Sequence, residues 1–116
     1  MSKKILLIED DVLFSELIRR HLTTSGYQVF TLENGKHSLN HIKEHAIDIL
    51  MTDILMDEQE GLETIGLIKE HHPTMPIIAI SSDEFFLDMA KDIGADAIIK
   101  KPITKENLIS IVAQFS

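Results

Sequence analysis

The sequence predicts an α/β fold, a single doubly wound domain with a parallel sheet covered by helices on both faces. Three observations carry this reading. Short apolar runs alternate with amphipathic stretches five times along the 116 residues, the pattern of repeated βα units. The first, third and fourth apolar runs are hydrophobic almost throughout, as parallel strands buried on both faces have to be. The connections are short and punctuated by glycine or proline at helix ends, with no linker, repeat or low-complexity segment to divide the chain.

Lys4 to Ile8 is the first strand. Val12 to Thr24 carries Leu13, Leu17, Ile18 and Leu22 at helical spacing, and Gly26 stops it. Gln28 to Leu32 is a weaker strand, suited to an edge. Lys36 to His45 reads as a helix with Leu39, Ile42 and Ala46 on one side. Ile47 to Thr52 is the third strand, and Leu62 to His71 the third helix, with Pro73 beyond its end. Ile77 to Ile80 is the fourth strand. Glu84 to Ile93 is the fourth helix, stopped by Gly94, with Ala90 and Ile93 on the side that packs against the sheet. Ala97 to Ile99 is the fifth strand. Thr104 caps a last helix that buries Leu108, Ile111, Val112 and Phe115. Right-handed crossovers place strands 1, 3, 4 and 5 side by side, with a ligand crevice beyond their carboxyl ends.

Composition removes several functions. The absence of cysteine rules out disulfides and thiolate metal sites. A net charge of −8 repels phosphate backbones and anionic lipid, so direct nucleic-acid binding is not expected. The apolar run after Lys3 and Lys4 is too short for a signal peptide, and no stretch reaches membrane-spanning length. The expectation is therefore one cytoplasmic domain over residues 1–116, with Met1 as an authentic start.

Charge and hydroxyls gather at the strand ends. Glu9, Asp10 and Asp11 follow strand 1, and Asp53 follows the apolar part of strand 3. Ser81, Ser82 and Asp83 follow strand 4, and Lys100, Lys101 and Pro102 follow strand 5. Clustered carboxylates raise each other's pKa values, and a divalent cation relieves that cost. Mg²⁺ prefers hard oxygen ligands and keeps several waters. A carboxylate from strand 1, another from strand 3 and a backbone carbonyl near Leu55 would suit it. Asp53 can then act as a nucleophile on a phosphoryl group, with a lysine and a hydroxyl stabilising the phosphoryl oxygens. No glycine-rich phosphate loop or dinucleotide fingerprint follows strand 1. Asp10 and Asp11 also precede a helix, and one of them suits its N-cap.

The runs ILLIEDD, MTDILMDEQEGLE, PIIAISS and GADAIIKKP resemble response-regulator receiver domains, in order and over essentially the whole chain. The resemblance implies a flavodoxin-like (βα)₅ fold with sheet order 2-1-3-4-5. It implies a phosphorelay switch rather than a conventional enzyme, with self-catalysed phosphotransfer and autodephosphorylation. By position, Asp53 matches the phosphoacceptor, and Asp10 a direct Mg²⁺ ligand with Glu9 nearby or acting through water. Leu55 would lend its backbone carbonyl to the metal, Ser81 matches the hydroxyl residue that shifts on activation, and Lys101, before Pro102, matches the phosphate-binding lysine. Lys100 then faces solvent, and Ser82 is a small neighbour that gives access. The implied partners are a histidine kinase or phosphotransfer protein, and a downstream target or homodimer through the helix 4, strand 5 and helix 5 face. Two positions depart from the family. Ile98 stands where an aromatic residue is usual, and Asp57 where a proline is common.

Other readings compete at particular residues. A phosphohydrolase would want a second acid two residues after Asp53, where this chain has Leu55. A flavin module would need a phosphate loop in place of Glu9, Asp10 and Asp11. A phosphorylation-independent scaffold is the remaining alternative, supported by Ile98 and Asp57. His37, His41 and His45 are spaced for a transition metal, but they fall opposite Leu39, Ile42 and Ala46 and read as a solvated face. His71 and His72 suit a helix C-terminus. Phe85 and Met89 form an apolar patch if they face outward, with Ile109 extending it.

Overall fold

Apolar strands alternating with amphipathic helices assemble here as the spacing predicts. The computed structural model describes residues 3–54 and 58–116 (backbone only for 58–60). In chain order the elements are β1 (Lys4–Ile8), α1 (Val12–Thr24), β2 (Gln28–Leu32), α2 (Ser38–His45), β3 (Ile49–Asp53), α3 (Glu58–His71), β4 (Ile77–Ser81), α4 (Glu84–Ile93), β5 (Ala97–Lys100) and α5 (Lys105–Ala113). The strands form one parallel sheet in the order β2-β1-β3-β4-β5. β3 and β4 are buried at every position, whereas β2 is mostly half-exposed, as an edge strand should be.

Side chains alternate across each strand and so feed two cores. Leu6, Ile8 and Leu50 face one side, where they meet Ile42 of α2, Ile65 and Ile68 of α3, and Leu87 and Ala90 of α4. Ile5, Leu7, Ile49, Met51, Ile78 and Ile80 face the other side, against Ile18 and Leu22 of α1 and Leu108 and Val112 of α5. The loops at the strand carboxyl ends are left clear of both layers, which is where the charged residues lie.

Several local expectations change. The inward stripe of α1 is Phe14, Ile18 and Leu22, spaced four apart. Leu13 and Leu17 are 84% and 47% exposed. The Asp11 carboxylate accepts hydrogen bonds from Leu13 N and Phe14 N, and that cap sets the face α1 offers to the sheet. Helix α2 starts at Ser38, not Lys36. Asn34 Oδ1 accepts from Lys36 N at 2.9 Å and the Ser38 hydroxyl donates to Gly35 O at 2.7 Å, which keeps the intervening residues in a turn. Ala46 is not on the apolar side. It ends α2 in the left-handed region, with φ 52°, and is exposed. Helix α3 starts at Glu58, one turn before Leu62. No apolar spacing marks that turn, although its glutamates are of a type that suits a helix N-terminus. In α4 the inward side chains are Phe86, Leu87 and Ala90, while Ile93 is 40% exposed. Ile111 and Phe115 are only partly buried beside Leu108 and Val112.

Two glycines of α3 separate packing from propensity. A Cβ on Gly61 would stand 2.6 Å from the Cα of Ile54, the residue after Asp53, whereas one on Gly66 would meet Ile93 Cγ2 at an ordinary 3.6 Å. Gly66→Ala is therefore expected to stabilise the fold by about 0.5–1 kcal/mol through helix propensity. Gly61→Ala is expected to cost about 1–3 kcal/mol, because backbone has to give way. Urea midpoints of the two variants check this. Equal shifts of the same sign would refute the close approach of α3 to Ile54.

Candidate functional site

Parallel register delivers the site. Ile8 of β1 is level with Thr52 of β3, Asp53 with Ile80 of β4, and Ser81 with Lys100 of β5. Backbone hydrogen bonds continue the ladder past the strand ends: Glu9 N to Leu32 O at 2.9 Å, Ile54 N to Ile80 O at 3.0 Å, and Lys101 N to Ser81 O at 2.9 Å. Glu9, Asp53, Ser81 and Lys101 are thereby held at neighbouring strand ends. The Lys101–Pro102 peptide bond is cis.

The Lys101 ammonium donates to Asp53 Oδ2 at 2.6 Å and to Glu9 Oε1 at 3.4 Å. It also lies 4.1 Å from the centre of the Phe14 ring, a cation–π contact from α1. Asp53 and Glu9 are each only 3% exposed. The second Glu9 oxygen accepts from Asp11 N at 3.1 Å. Ser81 is fully buried, and its hydroxyl oxygen accepts from Asp83 N at 3.0 Å. Asp83 in turn caps α4 by accepting from Phe85 N.

Two buried carboxylates face one ammonium, and the electrostatics record the shortfall. Burial pushes the Glu9 carboxyl up to about 8, with a hydrogen bond and the negative charge of Asp53 adding to it, against opposing pulls from Asp11 N–H and Lys101. Burial alone would lower Lys101. The hydrogen bond and charge of Asp53, then of Glu9, outweigh that and hold it above its ordinary value. In the absence of a further cation, Glu9 is the group that keeps a proton at neutral pH.

The structure thus brings Glu9, Asp53 and Lys101 into contact, with Ser81 at the adjacent strand end. Asp10, the next residue, is exposed, and Glu9 is the acid that meets Asp53. Leu55 and Asp57 lie outside the described residues. Among the described residues, no three imidazole or carboxylate groups gather to hold one ion. Glu9 and Asp53 still form a hard-oxygen pair short of positive charge, a donor set that fits Mg²⁺ with its usual complement of water. Lys100 is exposed and paired with Glu84 at 2.8 Å, and Ser82 is exposed, both as expected. Phe14 was not anticipated, and its spacing of four from Ile18 was the available signal. Ile98 is half-buried and lines a groove of about 330 Å³ with Glu84, Leu87, Asp88 and Lys100.

Comparison with known proteins agrees with this fold. The family model described as "Response regulator receiver domain" matches residues 5–113. The transcriptional regulatory protein CrdR of Helicobacter pylori is 33% identical over 118 residues, covering 99% of this chain and 55% of that protein. CpxR of Escherichia coli is 28% identical, covering 92% of this chain and 46% of CpxR. The chain thus spans about half the length of these curated relatives. Among solved structures, the chemotaxis protein CheY4 of Vibrio cholerae superposes with a TM-score of 0.90 at 20% identity over 100% of both chains. The receiver domain of NtrX from Brucella abortus gives 0.89 at 26% identity over 95% of each.

Because the Glu9 pKa is raised from 4.5 to about 8, the folded metal-free protein holds that proton more tightly than the unfolded chain. The associated stability is complete below about pH 4.5 and is lost as pH rises through about 8. The melting temperature of the metal-free protein should fall more steeply across that window than that of Glu9→Gln, whose amide does not titrate. Parallel profiles would show that Glu9 is not protonated there.

Proposed function

The chain belongs to the response regulator receiver domain family, and on that premise we propose that Asp53 accepts a phosphoryl group in a two-component phosphorelay. The observation that carries the assignment is the Lys101 ammonium 2.6 Å from an Asp53 oxygen, beside buried Glu9, at the carboxyl ends of the strands. An Asp53 oxygen attacks phosphorus, the bond from phosphorus to the donor's imidazole nitrogen breaks, and the imidazole leaves with the electron pair. Lys101 already touches the oxygen pair on which the new phosphoryl group is built, so its charge is in place for the developing negative charge. Ser81 stands one strand over, with a hydroxyl that can donate to a phosphoryl oxygen. Later attack of water on phosphorus returns the Asp53 carboxylate and inorganic phosphate, an autodephosphorylation.

Mg²⁺ is the cofactor this reading takes: Asp10, Asp53 and the Leu55 carbonyl would hold it, with Glu9 nearby or acting through water. When bound it would supply positive charge to the phosphoryl oxygens. Binding there would also release the proton that Glu9 otherwise keeps.

The phosphodonor is a histidine kinase or phosphotransfer protein. At the entrance to the site, Val12 and Leu13 are 70% and 84% exposed, an apolar approach for such a partner. Output is assigned to the α4, β5 and α5 face, where Phe85 is 66% exposed and the Ile98 groove opens. Either a downstream protein or a second copy would dock there. Without an aromatic at position 98, movement of Ser81 is relayed by repacking of Ile98 within that groove. The acidic surface argues against direct nucleic-acid binding by this domain, and no helix among the described residues is long and apolar enough to cross a membrane. The cytoplasm is the compartment this role requires.

Intact mass after incubation with a small acyl phosphate and Mg²⁺ tests the assignment. One phosphoryl adduct is expected, absent in Asp53→Asn and absent when Mg²⁺ is chelated. Lys101→Ala should slow its formation by roughly 10²–10³-fold. An unmodified wild-type chain would leave a phosphorylation-independent scaffold as the better account. An adduct persisting in Asp53→Asn would move the acceptor elsewhere.

A further inference from the structure

Helix α2 and its N-cap carry imidazoles at every fourth position: His37, His41 and His45. The rings of His41 and His45 stand with centroids 5.5 Å apart, tilted by 45°. Two imidazoles bound to one ion through nitrogens about 2.0–2.1 Å away have ring centres roughly 5 Å apart. The observed spacing is close to that of two imidazoles sharing one cation.

Both rings are already oriented. His41 Nδ1 lies 3.2 Å from the His37 carbonyl oxygen. As a donor to that carbonyl it leaves the lone pair on Nε2, the outer contact that orients a metal-ligating histidine. His45 stacks on Phe30 of β2, with centroids 4.4 Å apart and planes 20° from parallel. It is half-buried, so it is not simply part of a solvated face. Among the described residues its ring nitrogens have no hydrogen-bond partner. It is also the last residue of α2, where the negative end of the helix dipole favours a cation.

We infer that His41 and His45 form a two-imidazole site for a transition cation of the Zn²⁺, Ni²⁺ or Cu²⁺ class, completed by water. Imidazole donors exclude Mg²⁺ in favour of these ions, so this site and the carboxylate site draw on different metals. The inference does not depend on the phosphorelay assignment. His37 makes no side-chain cap bond, so an ion bridging the last turn ties down a short helix that lacks a staple at its start. A ligand bound only by the folded chain adds to its stability.

Ni²⁺ titration of the full chain in excess Mg²⁺, followed calorimetrically and by paramagnetic broadening of amide signals, tests it. One saturable site is expected, with broadening centred on the amides of residues 41–46. His41→Gln and His45→Gln should each weaken binding by at least about tenfold, while His37→Gln and Asp53→Asn leave it unchanged. His41→Gln is the decisive variant, because it keeps a good helix former on the surface and leaves the Phe30–His45 stack intact. Unchanged affinity in that variant, no saturable binding, or broadening centred on Asp53 or on His71 and His72 would overturn the assignment.

Discussion

One ammonium against two buried carboxylates is the constraint around which this end of the sheet is built. Asp53 and Glu9 would repel each other strongly in so dry a setting. Lys101 holds them together, but its single charge cannot neutralise both. The remainder is met by a proton on Glu9 or by a divalent cation, and the two solutions exclude one another. The same imbalance accounts for the electrostatics of the resting site and for its fit to Mg²⁺.

The scaffold meets that constraint through backbone register. Asp53, Ser81 and Lys101 are set by the backbone itself, because each ends or directly follows a strand of the sheet. Helix α3 lies so close to Ile54 that only a glycine fits at the contact. The helices α1 and α4 are capped by Asp11 and Asp83, acids from the same loops that carry the site. Structural capping and chemistry thus divide the acidic residues between them: Asp11 and Asp83 serve helices, Glu9 and Asp53 serve the site.

Most of the fold was legible because parallel strands buried on both faces leave long apolar runs, and glycines mark the helix ends. Asp53, Ser81 and Lys101 were legible because strand ends in such a sheet converge. That Glu9 and not its neighbour Asp10 would be the buried acid was not, since adjacent acids look alike in sequence. The inward face of α1 was misread for a related reason. Leu13 and Leu17 match helical spacing as well as Phe14 and Ile18 do, and the cap geometry at Asp11 selects between them. The first turn of α3 carries no apolar residue, so periodicity could not reveal it. His45 looked like a surface residue until the stack on Phe30 placed it against the edge strand.

Lys101 and Glu9 are separated by 92 positions in the chain, so the charge balance closes only when β5 has docked beside β4. A copy with its last strand missing, cleaved or not yet seated would keep Asp53 and Glu9 but lack the cation that sits between them. The charge balance at the strand ends is therefore itself a readout of structural completeness.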